Sequence, residues 1–220
     1  MTGADEPSHA RVPGGLYTTV VVVFVSLLLI SNIGAVKLIA FGPIITDGGA
    51  FLFPLVYITG DVLAEVYGLR AARKAIFLGF AMAALAAVTF LLVQFSPPAE
   101  GWENQAAFEA VLGFVPRIVV ASLAGYLVGQ FLNAYVLVWI KERTGERYLW
   151  VRLIGSTAVG ELADTLVFCT IAFYGVITGV EFATYVAVGY LYKTLLEVVL
   201  LPITYRVIAY VKRREPSYAA

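Results

Sequence analysis

Glu161 and Asp164 lie one helical turn apart in VRLIGSTAVGELADTLVFCT, a stretch that is otherwise almost wholly apolar. With Thr165 and Phe168 they occupy positions i, i+3, i+4 and i+7 of a single helix face. A second face carries Phe53, Tyr57, Asp61 and Glu65 at successive i+4 steps in AFLFPLVYITGDVLAEVYG. Lys193 and Glu197 make a third such pair, and Lys37 and Arg117 complete eight charged side chains inside or at the edge of apolar segments. A charge at the bilayer centre costs about 2.5–3.5 kcal/mol even on the lenient insertion scale, so this many call for an enclosed polar site. Two neighbouring carboxylates in a low dielectric do not easily both ionise unless cations or donors meet them, and one of them can hold a proton. Lys193 is the expected partner, and spacing leaves open whether Glu161 or Asp164 is nearer to it. Tyr126, Gln130 and Asn133 share another face, where an amide donates and accepts at once and suits the edge of a heterocycle or a neighbouring helix. Asn32, within Ser31-Asn32-Ile33-Gly34, marks close packing or a local break in an apolar run.

The elements that must position these groups are membrane helices. The 220 residues are 60% hydrophobic and 14% charged, and the mean hydropathy of +0.87 exceeds that of ordinary soluble domains. The formal net charge is zero, so no global field points to nucleic acid. His9 is the single histidine and lies in a polar opening stretch, which argues against histidine catalysis or a histidine-rich metal site. No catalytic residue, metal or cofactor is expected. The lone Cys169 can form no internal disulfide and reads as a small buried hydrophobe.

Six segments reach spanning length: residues 16–41, 50–67, 74–95, 115–140, 152–178 and 182–210. Their continuous apolarity excludes barrel strands, which alternate. The expected fold class is therefore an all-α integral membrane protein, with residues 1–15 a disordered tail, 16–210 the six-helix domain and 211–220 a basic tail. Arg70, Arg73, Lys74, Lys141, Arg143, Arg147, Arg152 and the cluster Arg206, Lys212, Arg213, Arg214 fall, with Arg11, on one side of an even-helix topology. Those are twelve of fifteen basic residues, which puts both termini in the cytoplasm. Glu65 then lies near the inner rim, with Arg70 and Arg73 in reach. Lys37 and Arg117 lie near the outer ends of the first and fourth helices, where they either snorkel or meet local partners. The Pro97-Pro98 pair ends the third helix, and residues 103–112 can form a short interfacial helix within the long outer connection, which reads as an ordinary interfacial loop in preference to an external lid. GDVLAE at 60–65 and GELAD at 160–164 echo one another faintly, as a 3+3 inverted repeat would.

At these residues the chain resembles the queuosine precursor transporter family, also called the vitamin uptake transporter family. The resemblance covers residues 16–210. It is carried by Asn32-Ile33 with Lys37, by FPLVYITGDVLAEVYG and the basic turn after it, and by Arg117 with Gln130 and Asn133. Arg152 with GELADTLVF and Lys193 with Pro202 complete it. Gly160-Glu161 departs from the Gly-Gln common in that family and adds a charge beside Asp164. The resemblance implies a multi-pass protein of the cell (inner) membrane that imports 7-deazaguanine precursors of queuosine, by secondary active transport. The 7-cyano base is the chief expected substrate and the 7-aminomethyl base a second. It implies substrate contacts by Asp61 or Asp164 to the base N–H groups, with Gln130, Asn133, Lys193 and Asn32 as further polar contacts. Tyr57 and Phe168 would stack on the ring, and Glu161, Glu197, Glu65, Lys37 and Arg117 would serve coupling or ion pairing. Expected partners are the small 7-deazapurine and the lipid bilayer, with no nucleic acid; a homo-oligomer is compatible.

Two rival readings stand beside this one. Substrate-binding subunits of multi-subunit ATP-driven vitamin importers are also small six-helix proteins, and this chain has no G-x-x-x-x-G-K-[ST] of its own. An intramembrane aspartyl protease would use Asp61 and Asp164, but Gly-x-Gly-Asp is absent.

Overall fold

Long apolar runs without polar alternation fold in lipid as helices, because only there is every backbone donor and acceptor satisfied within the segment. The computed structural model describes residues 15–42, 44–144 and 149–215. Its elements are α1 (Tyr17–Gly34), β1 (Leu38–Phe41), β2 (Ile44–Asp47), a 3-10 turn (Gly48–Phe51), α2 (Phe53–Phe95), α3 (Gln105–Leu112), α4 (Val115–Thr144), α5 (Leu149–Phe173) and α6 (Gly179–Arg214). The tail expected over residues 1–15 lies outside the described residues apart from Gly15, and so do Arg147 and residues 216–220.

Tyr17–Gly34, Phe53–Phe95, Gln105–Asn133 and Gly155–Phe173 are each long and apolar enough to cross a membrane. Gly179–Leu196 and Val198–Arg214, bent by 40° from one another, add a fifth crossing if taken together. The bend falls one turn before Pro202, whose ring crowds the carbonyl four residues back and removes a helix hydrogen bond. At 43 residues α2 is far too long for one span, and at Gly68 (φ +82°) it leaves helical geometry. This break falls between the two segments read as residues 50–67 and 74–95. Large apolar side chains face outward, with Phe77, Phe95, Phe131 and Val180 each at least 70% exposed. Such an exterior, with these spans, marks a multi-pass membrane protein.

The first helix is shorter than expected. It stops at Gly34, and residues 38–47 form an antiparallel hairpin in which Leu38 pairs with Asp47 and Phe41 with Ile44. The cause is a close backbone crossing: a Cβ at Gly48 would collide with the Gly34 carbonyl oxygen. Lys37 thus lies in the turn leading into the hairpin rather than on α1, and it is exposed. The amphipathic α3 falls where the interfacial helix was expected, after α2 ends at Phe95 just ahead of the Pro pair. The basic cluster at 212–214 continues α6 as its last turn, a placement that favours the negative end of the helix dipole.

Glycines set the tightest helix pair. On α4, Gly125 and Gly129 are one turn apart and face Gly160 and Asp164 of α5. A Cβ at Gly129 would stand 2.9 Å from both the Gly160 carbonyl oxygen and the Asp164 Cβ. A Cβ at Gly160 would stand 2.8 Å from the Asn133 Cβ. Small residues at this spacing let two membrane helices approach backbone to backbone. That approach fixes where Asn133 and Asp164 point.

Candidate functional site

A cavity of about 320 Å³ lies between the helices, at the lower end of the range for small-molecule sites. Asn32 comes to it from α1, Tyr57 and Asp61 from α2, Gln130 and Asn133 from α4, Glu161, Asp164 and Phe168 from α5, and Lys193 from α6. The i+4 faces of separate segments therefore converge on one space.

The Lys193 ammonium lies 2.5 Å from Asp164 Oδ2, which decides between the two α5 carboxylates, and 5.6 Å from the centre of the Phe53 ring. The pair is largely enclosed, with side chains 11% and 23% exposed. Among the described residues only Oδ2 of Asp164 is engaged, so Oδ1 is open to a donor. Asn32, 6% exposed, accepts from the Ser122 hydroxyl at 2.9 Å through Oδ1, while its Nδ2 has no hydrogen-bond partner among the described residues. Asn133 Oδ1 is likewise buried and unpartnered. Buried amide atoms are nearly always hydrogen-bonded, so a cavity holding one unmet donor and one unmet acceptor is suited to a ligand offering the complements.

Aromatic surface completes the lining. Phe53 and Tyr57 are tilted at 33° with centroids 6.3 Å apart, and Phe80 of α2 meets Tyr126 of α4 at 5.4 Å. The lining residues contribute three carboxylates (Asp61, Glu161, Asp164) and one ammonium (Lys193). The arrangement favours a flat ligand that donates more hydrogen bonds than it accepts.

A match to the family described as "Putative vitamin uptake transporter" runs over residues 47–207. The chain belongs to this vitamin uptake transporter family. Its members are transporters, not enzymes. A Bacillus subtilis protein named "Probable queuosine precursor transporter" is 33% identical over 178 residues, covering 80% of this chain and 77% of its own length. The "Queuosine precursor transporter" of Escherichia coli is 31% identical over 129 residues, and a "Probable queuosine precursor transporter" of Haemophilus influenzae is 32% identical over 126. The chain spans only 56% and 51% of those two proteins. No solved structure matches the chain. The family match includes every cavity residue on α2, α4, α5 and α6, and leaves out Asn32 and Lys37.

Other charged residues fall away from the cavity, and the partner of Glu65 corrects the expectation. Glu65 pairs with Lys212 at 2.7 Å, not with Arg70 or Arg73, because α6 runs alongside the first limb of α2 and brings its basic last turn to this rim. Arg117 donates from Nε and Nη2 to the carbonyls of Ile171 and Tyr174, both at 2.6 Å. It closes the C-terminal end of α5, whose last carbonyls lack helical partners, and is not among the residues that line the cavity. Lys37 is on the hairpin side. Glu197 lies on α6 one turn beyond Lys193, and its side chain is outside the described set. Reasoning from sequence missed Ser122 and Phe80. Ser122 was legible, four residues before Tyr126 on the same α4 face; Phe80 gave no polar signal.

Proposed function

We propose that this chain imports a 7-deazaguanine precursor of queuosine, chiefly the 7-cyano base, across the cell (inner) membrane by secondary active transport. The observation that carries the reading is the cavity's polar lining: a carboxylate oxygen open at Asp164, an unmet donor at Asn32 and an unmet acceptor at Asn133. A guanine-type edge presents N1–H and an exocyclic amine that one carboxylate accepts in a two-point contact, beside an O6 acceptor. On this reading Asp164 or Asp61 receives the N–H pair, and Asn32, Gln130 or Lys193 meets O6. The rings of Tyr57 and Phe168 stack on the base. The names of the three relatives support the substrate class.

The topology belongs to the same proposal. Breaking α2 at Gly68 and counting α6 once yields six crossings, with both termini cytoplasmic and residues 16–210 as one transport domain in lipid. Asp61 and Glu161, from the echoed segments on α2 and α5, would then descend from a 3+3 inverted repeat.

The test is binding and uptake by the purified chain with the 7-cyano and 7-aminomethyl bases, queuine and guanine. Saturable uptake of the 7-cyano base by this chain alone is expected, which an ATP-driven importer subunit would not support. Wild-type uptake in both Asp61→Asn and Asp164→Asn would refute the site.

A further inference from the structure

A second void of about 20 Å³ adjoins the main cavity and shares Phe53, Phe168 and Lys193 with it. It has room for a single water, which needs about 10–15 Å³. Asp47, at the end of β2, lines its other side and is only 4% exposed. Both carboxylate oxygens of Asp47 are held in place. Oδ1 accepts from the Gly49 amide at 2.9 Å, and Oδ2 accepts from the Tyr185 hydroxyl at 2.7 Å. Thr165, 1% exposed, lines the same void, and its Oγ1 has no hydrogen-bond partner among the described residues. A water between Thr165, Asp47 and Lys193 has the polar partners such a site requires.

We propose that Asp47 is the protonation site of the carrier and exchanges its proton with the main cavity through a water held in this void. The step is a simple titration: carboxylate and one proton give the neutral acid, and no other bond forms or breaks. The void water hands a proton to Asp47 and regains one from the cavity side, and release runs the other way. Burial already holds the Asp47 carboxyl above its ordinary range, opposed by the Tyr185 hydroxyl, the Gly49 amide and the Lys193 charge. The titratable and charged groups around it are Tyr185, Tyr192 and Lys193 of α6 and Cys169 and Asp164 of α5. From α1 and α2 its surroundings include Ser31 and Phe53, which do not titrate.

Lys193 makes the link to substrate. When Asp47 is neutral, the ammonium stays with Asp164 and holds the orientation of its carboxylate beside the cavity. When Asp47 is charged, it competes for Lys193 and Asp164 loses that orientation. Substrate binding therefore favours a protonated Asp47, the sign a proton symporter needs. The inference rests on the cavity being the substrate site.

The experiment uses the full chain in proteoliposomes with a trapped pH dye and the 7-cyano base. Wild type should acidify the lumen as substrate enters, and a one-unit inward proton gradient should sustain about tenfold accumulation, the ratio that one proton per substrate allows. Asp47→Asn should bind the base yet move no protons and ignore the gradient. Proton influx equal to wild type in Asp47→Asn overturns the proposal, as does wild-type uptake without proton movement. Failure of the wild type to bind the base overturns the carrier reading and this proposal together. If Asp47→Asn does not fold, Tyr185→Phe decides. It removes a hydrogen bond to the charged form, so the pH midpoint of uptake should rise by about one unit. An unmoved midpoint counts against Asp47.

Discussion

Breaking the Lys193–Asp164 pair one side at a time, and then both sides together, measures how much this contact holds α5 to α6. At 2.5 Å and an effective dielectric near 20, the attraction is about 7 kcal/mol. Withdrawing both groups from water offsets much of this gain, so the pair adds little net stability although the coupling between its members stays large. Asp164→Asn keeps the shape and strands an ammonium that is 11% exposed; Lys193→Met keeps the volume and strands the carboxylate. Each single variant should therefore lose about 3–5 kcal/mol, which is a fall of about 6–20 °C in melting temperature for a chain of this size. The double variant buries no unpaired charge, so it should melt above either single variant, which requires a coupling larger than either single loss; the attraction above sets it at about 7 kcal/mol. Thermal unfolding of the four proteins in detergent, with fluorescence detection, supplies the cycle. Additive losses, with coupling below about 0.5 kcal/mol, would refute the claim that this pair ties the two helices together. Uptake separates the roles further: the double variant should fold and still fail to transport, because the carboxylate facing the cavity is gone.

Three further outcomes follow from the geometry. Glu65→Gln removes a rim pair whose carboxylate is 58% exposed, so melting should shift by less than about 1 kcal/mol and uptake should match wild type. Gly129→Val places side-chain atoms against the Gly160 carbonyl and Asp164, and should destabilise the α4–α5 contact by about 1–3 kcal/mol while lowering uptake, as read by melting and transport assays. Arg117→Met strips two charge-assisted hydrogen bonds from the end of α5 and should cost about 1.5–3 kcal/mol in thermal unfolding, with the affinity of folded protein for the base unchanged.

The helices and the faces of the site were legible in the amino-acid sequence because both follow from local rules. Apolar length requires spanning helices, and the spacing of Tyr57 with Asp61, of Glu161 with Asp164 and Phe168, and of Gln130 with Asn133 assigns each set to one face. Periodicity along one helix says nothing about the neighbour it meets. That is why Glu65 was paired with nearby Arg70 or Arg73, while Lys212, 147 residues away, holds it in the fold. The hairpin escaped for a related reason: its residues are as apolar as the helix before them, and α1 ends at a close backbone crossing of Gly34 and Gly48 that arises only when the chain folds back.

What the sequence by itself determined is the class of molecule and the inventory of polar groups that a membrane interior must compensate. Which of those groups meet was decided only by tertiary structure. The backbone approach at Gly125, Gly129 and Gly160 turns Asp164 toward Lys193, and the Gly34–Gly48 crossing is part of the fold that carries Asp47 to Tyr185 beside the same lysine. The physical reason is distance: helix spacing is set within a turn, whereas these ångström-scale encounters depend on glycines far apart in the chain.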